Sequence, residues 1–467
     1  MKDSTIIYLE DIKRAPHLLS ITYLYQSYRF EVALWYETNL EELDQKYSAA
    51  FMDNIYFHIA AFEMNKLTSL KPDEINFGKY AHFATEEFWI LWQTIQQKAL
   101  AQWRFENDLP FYKVKLAHST YPKTIHTEAI IPGNIEVLAF FGGGKDSLVA
   151  ARLLEKGNIP YSILVYAHSI YGKTERQHEI IDALLEKLHP QKVHKQYIFD
   201  SFTDAPIVKM KKQFNVKSLM AAETPASIFG SLPILMSEGY TYIGLANEHS
   251  ANIGNLIWDK TGEDVNHQWV KSYEAERLIN AYIQTNLLTN FAYFSFLQPI
   301  NDVLIFNLLR QDLDKVAFTH SCNLEKPWCK RCAKCAYVWL NYMAYLPTEL
   351  VNNMFDHVNL FDLPENQIHF EQMLGFGEQT PFECLGQIEE SRLALHLCFL
   401  KGIKGKAMHW HEKIANENYD EIIERFSRIH TDNALPPQFA NLIYPQFSEV
   451  QKQALAYLQQ SENALQN

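Results

Sequence analysis

Apolar residues in the middle of the chain follow two spacings, one typical of buried strands and one typical of helices. Short apolar runs occur at Val137–Phe141, Tyr161–Tyr166, Val193–Phe199 and Tyr240–Ala246. Helical spacing lies between them, for example from Thr174 to Leu188. Strands that alternate with helices pair side by side in parallel. The pattern therefore predicts an α/β fold with a central parallel sheet and helices on both of its faces.

The parts of the chain that flank this alternation are harder to interpret. We predict three regions: an N-terminal mixed α/β region at 1–125, the central domain at 126–345 and a smaller C-terminal region at 346–467. The N-terminal region is a candidate for substrate recognition. On one of its predicted helices, Glu63 and Lys66 are three residues apart and are expected to form a solvated ion pair.

The first predicted strand runs directly into a glycine-rich loop followed by helical spacing. The loop consists of Gly142, Gly143, Gly144, Lys145, Asp146 and Ser147. Glycines let the backbone approach an anion, and a helix start offers free N–H groups. The loop lacks both the Walker A spacing and the dinucleotide-binding spacing. It predicts a phosphate site of another kind, the alternative being an ordinary turn between strand and helix.

Polar side chains follow the later strands, at the edge of a parallel sheet where ligands bind. His168 follows the second run, and Glu248 and His249 follow the fourth, in a polar loop that extends through His267 to Lys271. We expect these loops to converge on the glycine loop. His249, His267 and Lys271 are candidates for proton transfer, with Glu248 orienting a histidine. His168 is a candidate for lining the nucleotide pocket. A merely solvated loop is the alternative.

Four of the six cysteines form a cluster with the spacing C-x6-C-x2-C-x2-C. They are Cys322, Cys329, Cys332 and Cys335. Four sulfur ligands in tetrahedral arrangement are what structural Zn²⁺ prefers, and an iron–sulfur cluster is the alternative. A closed four-cysteine site leaves no position for a substrate, so we predict a structural role. Elsewhere, Cys384 is a candidate for proton transfer or a small buried hydrophobe.

Composition narrows the class of protein further. The chain has 467 residues, of which 47% are hydrophobic, and a formal net charge of −13. This charge disfavours a general nucleic-acid-binding protein. No apolar stretch is long enough for a transmembrane helix, and the N-terminus lacks a signal-peptide pattern. We therefore expect a soluble cytoplasmic protein without a membrane or nucleic-acid partner.

Several of these motifs together resemble known families. The glycine loop resembles the pyrophosphate-binding PP-loop, Ser-Gly-Gly-x-Asp-Ser, with Gly142 in place of the first serine. With the four cysteines, the middle region is similar to 7-cyano-7-deazaguanine synthase. When Asn247–Gly254, Val265–Gln268 with Lys271 and Ser272, and Pro381–Cys384 are added, most of the chain resembles the UDP-N-acetylmuramoyl-L-alanyl-L-glutamate epimerase family.

The resemblance implies a PP-loop fold and an ATP-dependent epimerase of peptidoglycan precursor synthesis. ATP would be cleaved to AMP and diphosphate with Mg²⁺, and the terminal L-Glu of a UDP-linked muramoyl dipeptide would become D-Glu. The three glycines and Ser147 would cradle the pyrophosphate, Lys145 would offset charge, and Asp146 would place Mg²⁺ or the loop. Two alternatives stay open: another adenylating enzyme, acting on a deazapurine carboxylate or on tRNA, and a zinc-stapled nucleotide-binding protein without turnover.

Overall fold

The strands of the protein are short and, with the exception of one hairpin, belong to one sheet. The computed structural model describes residues 5–117, 126–169, 172–202, 205–210, 222–322 and 324–466. In these ranges the strands are β1 (Ile6–Ala15), β2 (Leu18–Tyr25), β3 (Tyr28–Trp35), β4 (Glu74–Asn76), β5 (Lys115–Leu116), β6 (Val137–Phe140), β7 (Tyr161–His168), β8 (Val193–Asp200), β9 (Tyr242–Glu248), β10 (Leu256–Trp258), β11 (Glu263–Val265) and β12 (Ala292–Leu297).

Helices surround this sheet and make up most of the C-terminal part. They are α1 (Leu40–Tyr47), α2 (Ala49–Glu63), α3 (Glu86–Ala99), α4 (Ala101–Glu106), α5 (Lys145–Lys156), α6 (Thr174–Leu185), α7 (Pro206–Met210), α8 (Glu223–Glu238), α9 (Tyr273–Asn286), α10 (Asp302–Leu309), α11 (Leu313–Val316), α12 (Ala333–Tyr345), α13 (Thr348–Met354), α14 (Pro364–Met373), α15 (Ile388–Leu400), α16 (His411–Ile414), α17 (Tyr419–Phe426) and α18 (Pro437–Gln466). Of the helices described, none combines the length and the apolar character needed to cross a membrane.

The sheet contains ten strands in the order β12-β9-β6-β7-β8-β3-β2-β1-β4-β5. Its first five strands, from β12 to β8, are parallel to one another. The predicted α/β fold with a parallel sheet is thus confirmed. From β6 the chain adds β7 and β8 on one side and later β9 and β12 on the other. The strand order therefore reverses between β6 and β9, and ligands bind at such a reversal in open α/β sheets.

The N-terminal strands extend the same sheet on its other side. β3 pairs antiparallel with β8, so that Val32 lies opposite Asp200, and β2 and β1 continue the meander. β4 and β5 then add parallel strands at the edge. The N-terminal and central regions consequently share one continuous sheet.

Each face of the sheet contributes to a separate hydrophobic core. Because successive side chains of a strand point to opposite faces, β6 places Val137 and Ala139 in one core and Leu138 in the other. The first core also contains the C-terminal helices, and the second contains the N-terminal helices. Burial on both faces explains why β6 is an uninterrupted apolar run. Because β6 is held in both cores, the position at which the following glycine loop begins is also set.

The ion pair between Glu63 and Lys66 is buried rather than solvated, so that expectation was wrong. Lys66 Nζ lies 2.7 Å from Glu63 Oε2 and 2.5 Å from Asp200 Oδ2, and the Lys66 side chain is only 10% exposed. Asp200, at the end of β8, brings a second carboxylate to the lysine. Buried charges persist when they are paired in this way.

Candidate active site

A cavity of about 320 Å³ lies at the carboxyl ends of β6 and β9, where the strand order reverses. Its walls include the glycine loop, Asn247 and Glu248 from β9, and Lys271 from the polar loop. The glycine loop and the polar loop therefore converge, as the sequence predicts. Asp302, the first residue of α10, closes another side of the cavity.

The glycine loop has the backbone geometry of an anion site. Gly143 has a left-handed φ of +74°, and a Cβ there would lie 2.3 Å from Cε1 of His320. A Cβ on Gly142 would meet no atom within 4 Å, so the cavity is open at this position. Helix α5 begins at Lys145 with Gly144 as its N-cap and no capping side chain. Its first N–H groups lack acceptors within the helix and are therefore suited to bind a negatively charged group.

Lys145 is held by two carboxylates beneath the loop. Its Nζ lies 2.5 Å from Oδ1 of both Asp146 and Asp302, and the residue is only 1% exposed. Burial alone lowers the pKa of Lys145, but the two carboxylates outweigh it and raise the pKa above its usual value. Tyr337 also donates a hydrogen bond of 2.6 Å to Asp302. Sequence reasoning missed Asp302, and its position after β12 at a helix start was the only signal.

Two further buried carboxyl groups lie near Asp302. Burial, and then the charges of Asp302 and Glu390, raise the pKa of Glu248 well above its usual range. Burial and the charge of Asp302 raise the pKa of Glu390 to about 8. Glu248 accepts hydrogen bonds from the backbone N–H and the hydroxyl of Ser250. A Glu248 that keeps its proton near neutral pH can act as a proton donor.

A second cavity of about 250 Å³ adjoins the first and shares Lys271 and Cys384 with it. Lys271 Nζ donates a hydrogen bond of 3.0 Å to Cys384 Sγ. Burial raises the pKa of the Cys384 thiol, but the charge of Lys271 and a hydrogen bond from His267 reverse this and lower it to about 6. His267 Nδ1 is in turn 2.6 Å from Oε1 of Gln102. The arrangement favours a thiolate at neutral pH, as at reactive cysteines.

Two of the predicted site histidines, His168 and His249, do not line either of these cavities. His168 is buried close to Lys66 and Asp200; burial, and then the Lys66 charge, lower its pKa to about 3. The ring of His249 stacks on His430 with centroids 3.4 Å apart, and its Nδ1 lies 3.2 Å from the carbonyl oxygen of Gln298. The roles predicted for His168 and His249 stay predictions, and their placement adds no support to them.

The four clustered cysteines have the geometry of a metal centre. Their Sγ atoms all lie within 4.8 Å of one another. The Sγ–Sγ distance is 3.9 Å between Cys322 and Cys332 and 3.8 Å between Cys329 and Cys335. A tetrahedral site with metal–sulfur bonds of about 2.3 Å requires about 3.8 Å between sulfurs. The backbone N–H of Cys335 also donates to Cys332 Sγ at 3.4 Å, an interaction that favours a thiolate.

Fold and site together define a class: an α/β protein with a glycine-rich loop at a helix start, where the strand order of its parallel sheet reverses. Beside the loop lies a cysteine with a lowered pKa, and a four-cysteine centre lies close by. Residues 230–296 match a family model described as the MurL N-terminal domain, and residues 316–423 match one described as the MurL C-terminal domain. The chain is similar to the MurL family over these two ranges. The resemblance to the epimerase family is confirmed, whereas the likeness to the PP-loop stays a prediction.

Three relatives bear the name UDP-N-acetyl-alpha-D-muramoyl-L-alanyl-L-glutamate epimerase. The relative from Micromonospora sp. is 27% identical over 317 residues, which cover 65% of this chain and 66% of the relative. The one from Salinispora tropica is 28% identical and covers 65% and 64%, respectively. The one from Xanthomonas oryzae pv. oryzae is 24% identical and covers 72% and 70%. The chain thus spans about two thirds of the length of these relatives. No solved structure matches it.

Proposed function

We propose that the protein is an ATP-dependent epimerase that inverts the terminal L-Glu of UDP-N-acetylmuramoyl-L-alanyl-L-glutamate, with AMP and diphosphate as the other products. The names of the three relatives support the substrate and the reaction. The observation that carries the proposal is that Cys384, with its lowered pKa, borders the same cavity as the glycine loop. A phosphate-binding group and a proton-accepting group are thereby within reach of one substrate.

ATP has a physical role in such an epimerisation. Removal of the Cα proton beside a free carboxylate would create two neighbouring negative charges, which is costly. When a carboxylate oxygen attacks the α-phosphorus of ATP, diphosphate leaves and the carboxylate becomes an uncharged acyl group that stabilises an enolate. The N–H groups at the start of α5 and the Ser147 hydroxyl hold the phosphates. Asp146, which lines the cavity beside Lys145, is the candidate ligand for Mg²⁺.

Proton transfer at Cα falls to the group around Cys384. The Cys384 thiolate removes the proton from one face, while Lys271 stabilises the thiolate before the reaction. Glu248 is the candidate for returning a proton to the other face, because its raised pKa keeps it protonated. The Ser250 hydroxyl, which binds Glu248, also lies 3.2 Å from the carbonyl oxygen of Leu385, next to Cys384. Hydrolysis of the acyl group then releases AMP and the epimerised product.

The N-terminal region contributes to substrate recognition in this proposal. Its contacts with the polar loop include the one between Gln102 and His267 and an ion pair of 2.6 Å between Arg104 and Glu263. Arg104 is only 2% exposed, so this ion pair is largely desolvated. Helix α4 therefore holds one wall of the second cavity in place, where the parts of the substrate beyond the glutamate would lie.

The four-cysteine centre binds a structural Zn²⁺ in the same proposal, and a cytoplasmic location suits it because thiols stay reduced there. We expect about one zinc per purified chain, and its loss together with a clear fall in Tm in a Cys332→Ala variant. Cys398→Ala is the matched control, because Cys398 is a buried thiol outside the cluster. Elemental analysis and thermal unfolding check the prediction. A Cys332→Ala protein that keeps its metal and its Tm would contradict it.

The decisive experiment combines ATP turnover with proton exchange. The protein is incubated in heavy water with ATP, Mg²⁺ and UDP-N-acetylmuramoyl-L-alanyl-L-glutamate, and AMP and deuterium at the glutamate Cα are measured together. We expect AMP release that depends on the substrate and deuterium at Cα in the D-Glu product. AMP release without deuterium at Cα would support an adenylating enzyme and contradict the proposed epimerase activity. No AMP with any tested carboxylate would favour a nucleotide-binding protein without turnover.

A further inference from the structure

Two of the polar side chains that line the first cavity, His320 and Lys326, have no carboxylate partner among the described residues. His320 is 1% exposed, and within the described residues neither of its ring nitrogens has a hydrogen-bond partner. Lys326 also lines the cavity, and in the described part of the chain it forms no ion pair with a carboxylate. By contrast, Lys145, Lys271 and Lys334 each already donate a hydrogen bond within the protein. Buried polar groups without partners are rare unless a ligand or water satisfies them.

Both side chains belong to the segment that carries the four cysteines, and this segment lies directly against the glycine loop. The backbone N–H of His320 donates a hydrogen bond of 3.0 Å to the carbonyl of Gly143. The Ser321 hydroxyl lies 3.2 Å from where a Cβ on Gly144 would be. A phosphate held by the loop would therefore lie close to His320 and Ser321.

Charge balance shows why the glycine loop needs this second surface. Lys145, the only cation of the loop itself, is paired with the carboxylates of Asp146 and Asp302. One positive and two negative charges leave this group with an excess of negative charge. The triphosphate of ATP carries several negative charges of its own, so further cationic or hydrogen-bonding groups must face it. His320 and Lys326, which line the same cavity, are two groups that can do this.

We propose that residues 320–322 and 324–334 form a polyphosphate-binding wall beside the glycine loop, in which His320 and Lys326 bind the β- and γ-phosphates of ATP and then the leaving diphosphate. This proposal rests on the proposed function, because it takes ATP as the ligand. The four-cysteine centre then has a second role besides stability. Cys322 and Cys329 flank Lys326 in sequence, so a metal bound by the cysteines fixes the wall against the loop.

Binding measurements with the zinc-loaded full chain test the wall. ATP, inorganic diphosphate and AMP are titrated separately by calorimetry into wild type, His320→Ala and Lys326→Met. We expect ATP and diphosphate to bind about 10- to 100-fold more weakly to each variant, the usual effect of losing one charge-assisted hydrogen bond. AMP should bind within about twofold of wild type, because it lacks the phosphates that the wall contacts. Arg331→Met, an exposed cation of the same segment outside the cavity, is the matched control.

Zinc content and Tm, measured on the same samples, separate the wall from a purely structural role. If Lys326→Met loses zinc, or if ATP and AMP weaken equally, Lys326 serves the metal site or the fold and the wall is rejected. If wild type binds ATP but neither variant differs from it, the wall fails while the proposed function stands. If wild type binds neither ATP nor diphosphate, both proposals fall. Selective weakening of ATP and diphosphate with zinc retained supports the wall.

Discussion

A Cys384→Ala variant should lose about 100- to 10,000-fold of its rate of deuterium incorporation at the glutamate Cα, the range usual for a general base. It should still release AMP from ATP, because the contacts of Cys384 are with Lys271 and His267 and not with the glycine loop. Mass spectrometry of the product and an AMP assay measure the two steps on one sample. Cys398→Ala is the matched control, since this thiol is buried in the core away from both cavities. Normal exchange in Cys384→Ala would exclude Cys384 as the base.

The pH dependence of the same exchange identifies the group more closely. With a thiol pKa of about 6, the exchange rate should rise as pH increases through 6 and level off above it. A thiol with its ordinary value of 9.0 would give a rise three pH units higher. Lys271→Met removes the charge that stabilises the thiolate, and it should therefore move the rise toward higher pH. A profile that is unchanged in Lys271→Met would show that Lys271 does not act on Cys384.

The features that the sequence predicts well are those fixed by neighbouring residues. The apolar run at Val137–Phe141 gives a strand that is buried on both faces, and three glycines followed by helical spacing give the turn into α5. The four-cysteine cluster follows from its close spacing for the same reason. Local pattern is sufficient in these cases, because the interacting residues are close along the chain.

The remaining site features depend on residues that only the tertiary fold brings together. Asp302 follows β12 in the chain and reaches Lys145 because β12 pairs with β9. This pairing cannot be predicted from a single sequence. Asp200 buries the Lys66 ion pair in the same way, through the pairing of β3 with β8. Polarity alone also could not separate His267, which lines a cavity, from His249, which stacks on His430. Both are histidines in polar loops, and only packing decides their direction.

The glycine loop provides the second large effect. Gly143→Ala should lower AMP formation about 100-fold or more, because a displacement of the loop by about 1 Å is sufficient for such a loss. Two causes act together. The left-handed backbone costs alanine about 1–2 kcal/mol, and the new Cβ would lie 2.3 Å from Cε1 of His320. The loop or His320 must therefore move, and both line the site. Substrate-dependent AMP release and ATP affinity measure the effect.

Gly262→Ala is the control that separates the effect of backbone strain from the effect of a displaced glycine loop. Gly262 also has a left-handed φ, of +69°, but a Cβ there meets no atom within 4 Å, and the residue lies outside both cavities. It should lose a similar part of its stability and keep its AMP formation. Gly142→Ala gives a complementary result. Because a Cβ at this position meets open space, the variant should unfold at the wild-type temperature. It should nevertheless bind ATP more weakly, because the added methyl group occupies cavity space. Equal ATP affinity in Gly142→Ala, Gly143→Ala and wild type would mean that the phosphates bind elsewhere. Loss in both loop variants but not in Gly262→Ala would tie the chemistry to the backbone of this loop.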